Sequence, residues 1–455
     1  MKVLVINGSP KGKYSCTLQT SLYLEKLFPE CEYTVLHCGQ QIRKFEKDIT
    51  PLIDAIRAAD LVVFSYPVYT FLCPAQLHKI IRILKEKNCD FKGTFCTQIS
   101  TSKHFYDATA HKYIEENALD LGFSFIKGLC ADMDDLTTEK GQREAEDFWS
   151  YILHCVKNNI AEQKTEKQLS AIPAFRAEAK AAVKEEKFDT VIVTDAEDTD
   201  ENLLQMMEEF KAVYPYPVRV VNLREFPFDG GCLGCFKCAV SEKCVYKDGF
   251  DEYLRKTIQT ADAFVYAFRI KDHSPGPVFK TFNDRQFCNG HRTVTMGKPI
   301  GYLISGNYLD EQNVRTVVEA RSQVGGNFFC GAASDDNAPA DGIAAMAKRL
   351  CYAVANNYNQ PADFYGVGGM KIFRDLIYVM RGLMKADHKF YKKHGFYDDL
   401  PTKQKGRMIA MTLVGNLMAM PSVQAKAAGY MNEGMLMPYK KAMEKAEKRA
   451  NETNK

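Results

Sequence analysis

Along the chain, short β-branched apolar runs alternate with longer stretches of helical periodicity, and the series is run through twice. Lys2-Val3-Leu4-Val5-Ile6-Asn7 and Thr190-Val191-Ile192-Val193-Thr194-Asp195 both read as strands buried on two faces. Each is followed by a helix (18–28 and 201–213) and a second strand (33–37 and 218–223). An amphipathic helix ending in Ala-Asp then precedes an apolar strand, 61–67 in the first copy and 263–268 in the second. A lysine-bearing helix (76–87 and 278–287) and a fourth strand (93–100 and 299–306) complete the correspondence.

Strands alternating with helices of this length predict a parallel sheet covered on both faces. Five such units per copy fit the doubly wound, flavodoxin-like order. The expected fold class is therefore α/β, with two tandem flavodoxin-like doubly wound parallel sheets and a C-terminal helical extension. The first domain is expected over 1–162, a charged, Ala-rich linker or helix over 163–187, the second domain over 188–360, and the extension over 361–455. Within the extension, the Ile, Phe, Leu, Tyr and Met stripe of 371–385 reads as core or an oligomer contact.

Composition adds limits. Apolar residues make up 46% of the 455 and charged residues 26%, ordinary for a globular chain with a sizeable core. A net charge of +3 gives no basic face of the kind nucleic-acid binding uses. The longest apolar stretch, 408–420, is shorter than the roughly 20 residues of a membrane span, and the start lacks the pattern of a secretory signal. A cytoplasmic location is expected. Of the 15 cysteines, most are scattered and read as small buried hydrophobes, but four fall close together.

The first strand runs into Gly8-Ser9-Pro10-Lys11-Gly12-Lys13-Tyr14-Ser15-Cys16-Thr17, which opens a helix. Gly8 lets the chain turn off the strand, the hydroxyls and helix-start N–H groups suit an anion, and Lys11 or Lys13 adds charge. The spacing matches neither the dinucleotide G-x-G-x-x-G nor the P-loop, which favours a phosphate monoester such as that of FMN. A plain turn capped by Ser15 is the alternative. Ser65-Tyr66-Pro67-Val68-Tyr69-Thr70-Phe71 leaves the third strand at the same carboxyl edge and offers rings and backbone to a flat isoalloxazine. Residues 97–103 leave the fourth strand there too.

In the second copy, Cys232-Leu233-Gly234-Cys235-Phe236-Lys237-Cys238 is followed by Cys244. The C-x2-C-x2-C run suits a [4Fe–4S] cluster, with Cys244 as the fourth ligand. Structural zinc, which more often uses two separated knuckles, and an unmetallated thiol site are the alternatives. The second copy lacks the phosphate loop. Asp195-Ala196-Glu197-Asp198-Thr199-Asp200-Glu201 repels an anion, and its next ligand loop reads Phe268-Arg269-Ile270-Lys271-Asp272-His273. The first copy has a lone Cys38 where the cysteines would stand. One FMN in the first domain and one cluster in the second are expected.

Gly-Ser-Pro-Lys with Ser15 and Thr17, then Pro67-Val68-Tyr69 followed by Ala75-Gln76-Leu77, resembles the NADPH-dependent FMN reductase and iron–sulfur flavoprotein family. The likeness covers roughly 1–130 and, less completely, 188–350. It implies a flavodoxin-like fold, FMN and dimerisation, with phosphate contacts from Ser9, Lys11, Ser15, Cys16 and Thr17. It also implies ring contacts from Pro67, Val68, Tyr69 and Thr70, and Ser100 is added from the third loop. Cys16 stands where relatives commonly carry Asn. Lys280, Phe282, Asp284 and Arg285 resemble a K-x-F-x-D-R helix start that shapes the second ligand loop, and read equally well as a solvated helix.

These readings converge on an FMN-dependent NAD(P)H oxidoreductase with a cluster passing electrons between flavin and acceptor. An iron–sulfur flavoprotein electron carrier and a zinc or thiol redox sensor are the rivals. The expected partner is a small-molecule acceptor or ferredoxin, with no nucleic acid and no membrane span. Two copies in one chain can mimic a homodimer and bring the Cys232–Cys244 loop towards the first domain's flavin, and a homo-oligomer is the other possibility. FMN carries the redox chemistry itself, so no catalytic acid or base is singled out.

Overall fold

Continuous apolar runs become central parallel strands because helices cover both faces of each sheet. The structure, a computed structural model, describes residues 1–164 and 171–420, with 422–423, 439–440, 443–445, 447–448 and 451–452 beyond. The first sheet contains β1 (Lys2–Asn7), β2 (Glu32–Leu36), β3 (Leu61–Pro67), β4 (Phe95–Ser102), β5 (Ser124–Phe125) and β6 (Leu129–Asp132). The second contains β7 (Thr190–Thr194), β8 (Val218–Asn222), β9 (Ala263–Arg269), β10 (Pro299–Ser305) and β11 (Phe328–Ser334).

The first sheet is ordered β2-β1-β3-β4-β5, with β6 also on β4, and the second β8-β7-β9-β10-β11. Both are parallel, and both follow the order of flavodoxin-like folds. Val3 lies opposite Leu61 in one sheet and Thr190 opposite Ala263 in the other, so the two copies correspond residue by residue along their central strands.

The copies meet through equivalent elements. Helix Ala75–Glu86 packs on Gly276–Arg285, each following the third strand of its copy. Helix Asp107–Asp120 packs on Gln312–Val324, each following the fourth. Such like-with-like contact is the pattern of a two-fold interface, realised here within one chain.

The loops after the third strands also match. Tyr69 N and Leu72 O pair at 2.7 Å, as do Lys271 N and Ser274 O. The intervening Thr70 and Phe71, like Asp272 and His273, have left-handed backbone.

Several elements depart from the sequence expectation. β4 runs two residues past 100, because β6 pairs with Ile99–Ser102 and continues the ladder that polar side chains alone do not signal. The fifth strand of the first copy is split into β5 and β6. Residues 171–187 are not helical. They lie along helix Glu201–Val213, whose side chains and carbonyls take their N–H groups: Phe175 N donates to Asn202 Oδ1 at 2.9 Å and Ala182 N to Ala212 O at 2.8 Å. The amphipathic helix expected before the third strand of the second copy is a short α-turn, Phe250–Tyr253, continued by a π-turn over Leu254–Ile258.

The extension contributes helices Phe364–Val379, Lys385–Lys393 and Lys405–Met418. Most of 421–455 lies outside the described residues. By compactness the chain divides into Met1–Phe390, which holds both sheets, and Tyr391–Lys455. Among the described residues, no helix is long and apolar enough to cross a membrane.

Candidate functional site

At the carboxyl ends of β1 and β3 the chain leaves the sheet in two loops. Asn7 shapes the first: its Oδ1 accepts from Ser9 N at 3.1 Å and its Nδ2 donates to Gly12 O at 2.9 Å. Gly12 has φ +57°, and a Cβ there would lie 2.2 Å from Gln40 Oε1, so both conformation and space require glycine. Ser15 caps helix Cys16–Leu27, its hydroxyl accepting from Leu18 N at 3.4 Å. Ser9 Oγ accepts from Lys11 N at 3.3 Å. Both hydroxyls thus keep an O–H to donate, beside the orphan N–H groups of the first helical turn. Thr17 Oγ1 lies 2.6 Å from Thr101 Oγ1 and ties this loop to β4.

These residues open on a cavity of about 230 Å³. Ser9, Lys11, Ser15, Cys16 and Thr17 form one side, and Pro67, Val68, Tyr69 and Thr70 the next. Cys232, Cys235, Cys238 and Cys244, from the other copy, line the same cavity. Ser100 does not: its hydroxyl sits 2.8 Å from His111 Nε2, and the longer β4 presents Thr101 and Ser102 instead, with Lys103 just beyond it.

The cysteine loop is seated directly on the first copy. Gly234 has φ +62°, and a Cβ there would come within 1.9 Å of Tyr69 Oη. Lys11 Nζ lies 5.4 Å from the centre of the Phe236 ring, within cation–π range. Gln76 Nε2 donates to Cys232 O at 3.3 Å. Burial is the main cause that raises the Cys232 thiol well above its usual range and pushes Cys238 up to about 11. All four cysteines are free thiols, and a metal centre would supply the positive charge that holds such buried thiols as thiolates.

Residues 1–113 match the family of NADPH-dependent FMN reductases. An iron-sulfur flavoprotein of Archaeoglobus fulgidus is 24% identical over 180 residues, spanning 36% of this chain and 79% of the relative. Among solved structures, a putative quinone reductase from Klebsiella pneumoniae is 16% identical, covers 39% of this chain and 89% of its own, and has a TM-score of 0.26. An FMN-dependent NADH-azoreductase from Bacillus anthracis, solved with FMN, is 14% identical, covers 33% of this chain and 98% of its own, with a TM-score of 0.26.

What holds the matched segment in shape includes side chains outside it. Lys280, Asp284 and Arg285, open to reading as a solvated face, are at most 1% exposed. Asp284 accepts from Thr70 Oγ1 and from Ala75 N, each at 2.8 Å, and Lys280 Nζ donates to Tyr69 O at 2.7 Å and pairs with Asp284. The second copy's helix therefore fixes the first copy's ligand loop. Arg285 makes two 2.7 Å bonds to Asp248, donates to Gly230 O at 2.9 Å and stacks on Tyr246, gripping the cysteine loop at both limbs.

The extension also reaches the site. Phe373, Leu376 and Met380 line the cavity, so the stripe expected to be core or an oligomer contact forms a wall of it. The apolar spacing was visible in the sequence, but nothing in it named the surface it faces. His291 lies on the same side, its Nδ1 3.2 Å from the fully buried Asp387, which also takes Arg292 at 3.0 Å.

The second copy's counterpart to the phosphate loop is occupied by its own charges. Asp200 Oδ2 accepts from Glu197 N at 3.0 Å, Arg224 and Lys271 pair with Glu197, and Arg269 reaches Asp200 at 3.3 Å. Burial pushes the Asp195 carboxyl up to about 7, against the pull of Lys271 and Arg224.

Proposed function

We propose that the chain is an FMN-dependent NAD(P)H oxidoreductase in which Cys232, Cys235, Cys238 and Cys244 hold a [4Fe–4S] cluster that passes electrons between flavin and acceptor. The observation that carries this reading is the meeting of a phosphate-type loop from one copy and four cysteines from the other on a single cavity. In this reading Ser9 and Ser15 donate their hydroxyl protons to the phosphate, together with N–H groups of Cys16 and Thr17, and Lys11 balances its charge. Pro67, Val68, Tyr69 and Thr70 position the flavin ring, and the rings of Phe105, Phe287 and Phe373 exclude water from its surroundings. FMN, when bound, supplies two-electron chemistry and the cluster one-electron chemistry. The protein's part is to bind, orient and keep the two adjacent.

The direct test is the absorption spectrum of anaerobically purified protein, with FMN and iron quantified. Flavin bands over a broad iron–sulfur shoulder are expected, with about one FMN and about four irons per chain. Flavin without iron leaves a plain flavin oxidoreductase, and absence of both chromophores overturns the reading. Rapid reduction by ferredoxin with negligible NAD(P)H oxidation assigns the chain as an electron carrier instead.

A further inference from the structure

The smaller compact unit, Tyr391–Lys455, contains a helix with no buried face. Residues 405–417 of helix Lys405–Met418 are all exposed, although most are apolar. Met408, Ile409, Met411, Leu413, Val414 and Leu417 are each between 49% and 63% exposed. Among the described residues, a Cβ added at Gly406 or Gly415 would meet nothing within 4 Å. At about 3.6 residues per turn the apolar side chains surround most of the helix. They leave a narrow polar stripe of Lys405, Thr412 and Asn416, spaced at i, i+7 and i+11. Thr412 satisfies its own hydroxyl, donating from Oγ1 to Met408 O at 2.8 Å.

A helix that is apolar nearly all round belongs in a protein core or in lipid. One partner helix would cover a single stripe of it and leave the other apolar side chains in water, whereas lipid surrounds it. Charge points the same way. Residues 391–455 hold twelve lysines and arginines against six acids, a net +6 in a chain whose total is +3, so the first 390 residues carry −3. Lys392, Lys393, Lys403, Lys405 and Arg407 are exposed and lead into the apolar run. Lys403 has Asp398 at 3.2 Å, but the first turn of the helix holds no acid. Cations there oppose the helix macrodipole. They do not stabilise the helix itself and suit an anion from outside.

We propose that helix Lys405–Met418 seats this unit on an anionic lipid bilayer. Its apolar side chains enter the boundary between headgroups and acyl chains, and the lysines and arginine that lead into it face lipid phosphates. With 14 residues the helix is about 21 Å long, short of the roughly 30 Å hydrocarbon core, so it lies in the surface and does not span. Its stripe of Lys405, Thr412 and Asn416 then turns to the headgroups. The inference stands on the C-terminal unit alone and is independent of the redox reading.

The test is flotation of the full chain with vesicles of phosphatidylcholine alone or of phosphatidylcholine and phosphatidylglycerol in equal parts. Binding at least about tenfold tighter to the mixed vesicles is expected, and it should weaken as salt is raised. Leu413→Gln with Leu417→Gln should weaken it at least about tenfold, since glutamine keeps helix propensity but not the apolar surface. Lys405→Gln with Arg407→Gln should weaken binding to mixed vesicles and leave phosphatidylcholine unaffected. Circular dichroism checks that each variant folds, and if the leucine pair does not, the lysine–arginine pair decides. Binding to neither vesicle, equal binding to both, or binding that survives the substitutions overturns the proposal. A dimer in sedimentation that the leucine substitutions dissolve, without flotation, assigns the helix to a second copy of the chain and overturns it too.

Discussion

The two loops that leave the first strand of each copy share a backbone device and differ in sign. In one, Asn7 Oδ1 accepts from Ser9 N at 3.1 Å, and in the other Thr194 Oγ1 accepts from Ala196 N at 3.1 Å. Beyond that turn, the first loop presents hydroxyls, a lysine and helix-start N–H groups to a cavity. The second presents carboxylates that are bound by Arg224, Arg269 and Lys271. Sheet register and turn geometry therefore survive a complete change of loop chemistry, because strands are held by buried apolar faces and loops only by local bonds. The second copy acts as a support: its helix holds the loop after β3, and its cysteine loop lines the same cavity.

The largest effect on this division of labour is expected from Asp284→Ala. It leaves Lys280 buried without its carboxylate and removes the acceptor of Thr70 and Ala75. Breaking a buried pair in this way costs about 3–5 kcal/mol. Denaturant unfolding should show that loss, and Asp284→Asn, which keeps an acceptor, should recover part of it. The converse support is spread over more contacts: Asp272 pairs with Arg82 and Lys85 at 3.5 and 3.7 Å, its carbonyl accepts from Asn117 Nδ2 at 3.1 Å, and His273 meets Asp120 at 2.9 Å, so losing the Asp272 side chain alone should cost less. An equal loss on removing Asp272 would erase the asymmetry.

Asp195 comes next. Its folded pKa of about 7 stands above the unfolded value of about 3.9. Its contribution to stability is thus fully present below about pH 4 and is lost as pH rises towards 7. At about 1.4 kcal/mol per unit, this amounts to about 2–4 kcal/mol. Asp195→Asn should flatten the fall of the melting temperature between pH 4 and 8 and leave the variant more stable than the parent at pH 8. A parallel pair of curves would mean that the second loop is not buried as described.

Much of this was legible in the sequence. β3 and its neighbour β1 were readable to the residue, since central parallel strands show unbroken apolar runs. The glycine–serine loop and the cysteine spacing were readable because their chemistry is local. Lys280 and Asp284 were legible only as one of two even readings, a helix start that shapes the second ligand loop or a solvated helix, because their partners Tyr69, Thr70 and Ala75 lie some two hundred residues away and a charged helix looks the same whether solvated or buried. The wall formed by Phe373 and Leu376 was hidden for the same reason: periodicity reports a face and not what it faces.

Ser15→Asp turns the first loop into a likeness of the second. Aspartate is as good an N-cap as serine, so helix Cys16–Leu27 should persist, while its carboxylate confronts the phosphate. FMN affinity, followed by flavin fluorescence, should fall about 100-fold, or about 2.7 kcal/mol. Unchanged affinity would place the phosphate elsewhere.

The smallest effect separates the expected third-loop residue from the ones that reach the cavity. Ser100 spends its hydroxyl on His111, and Thr101 is the neighbour that touches Thr17. Ser100→Ala removes one buried hydrogen bond and should cost about 1 kcal/mol of stability, with FMN affinity within about twofold of the parent. Thr101→Ala frees Thr17 Oγ1 from its 2.6 Å partner and loosens the phosphate loop, so it should weaken FMN binding more than Ser100→Ala does. If the order were reversed, the contact to flavin would run through Ser100, and the register of β4 against β6 would have to be shifted by one position, which would turn every side chain of that edge to the opposite face.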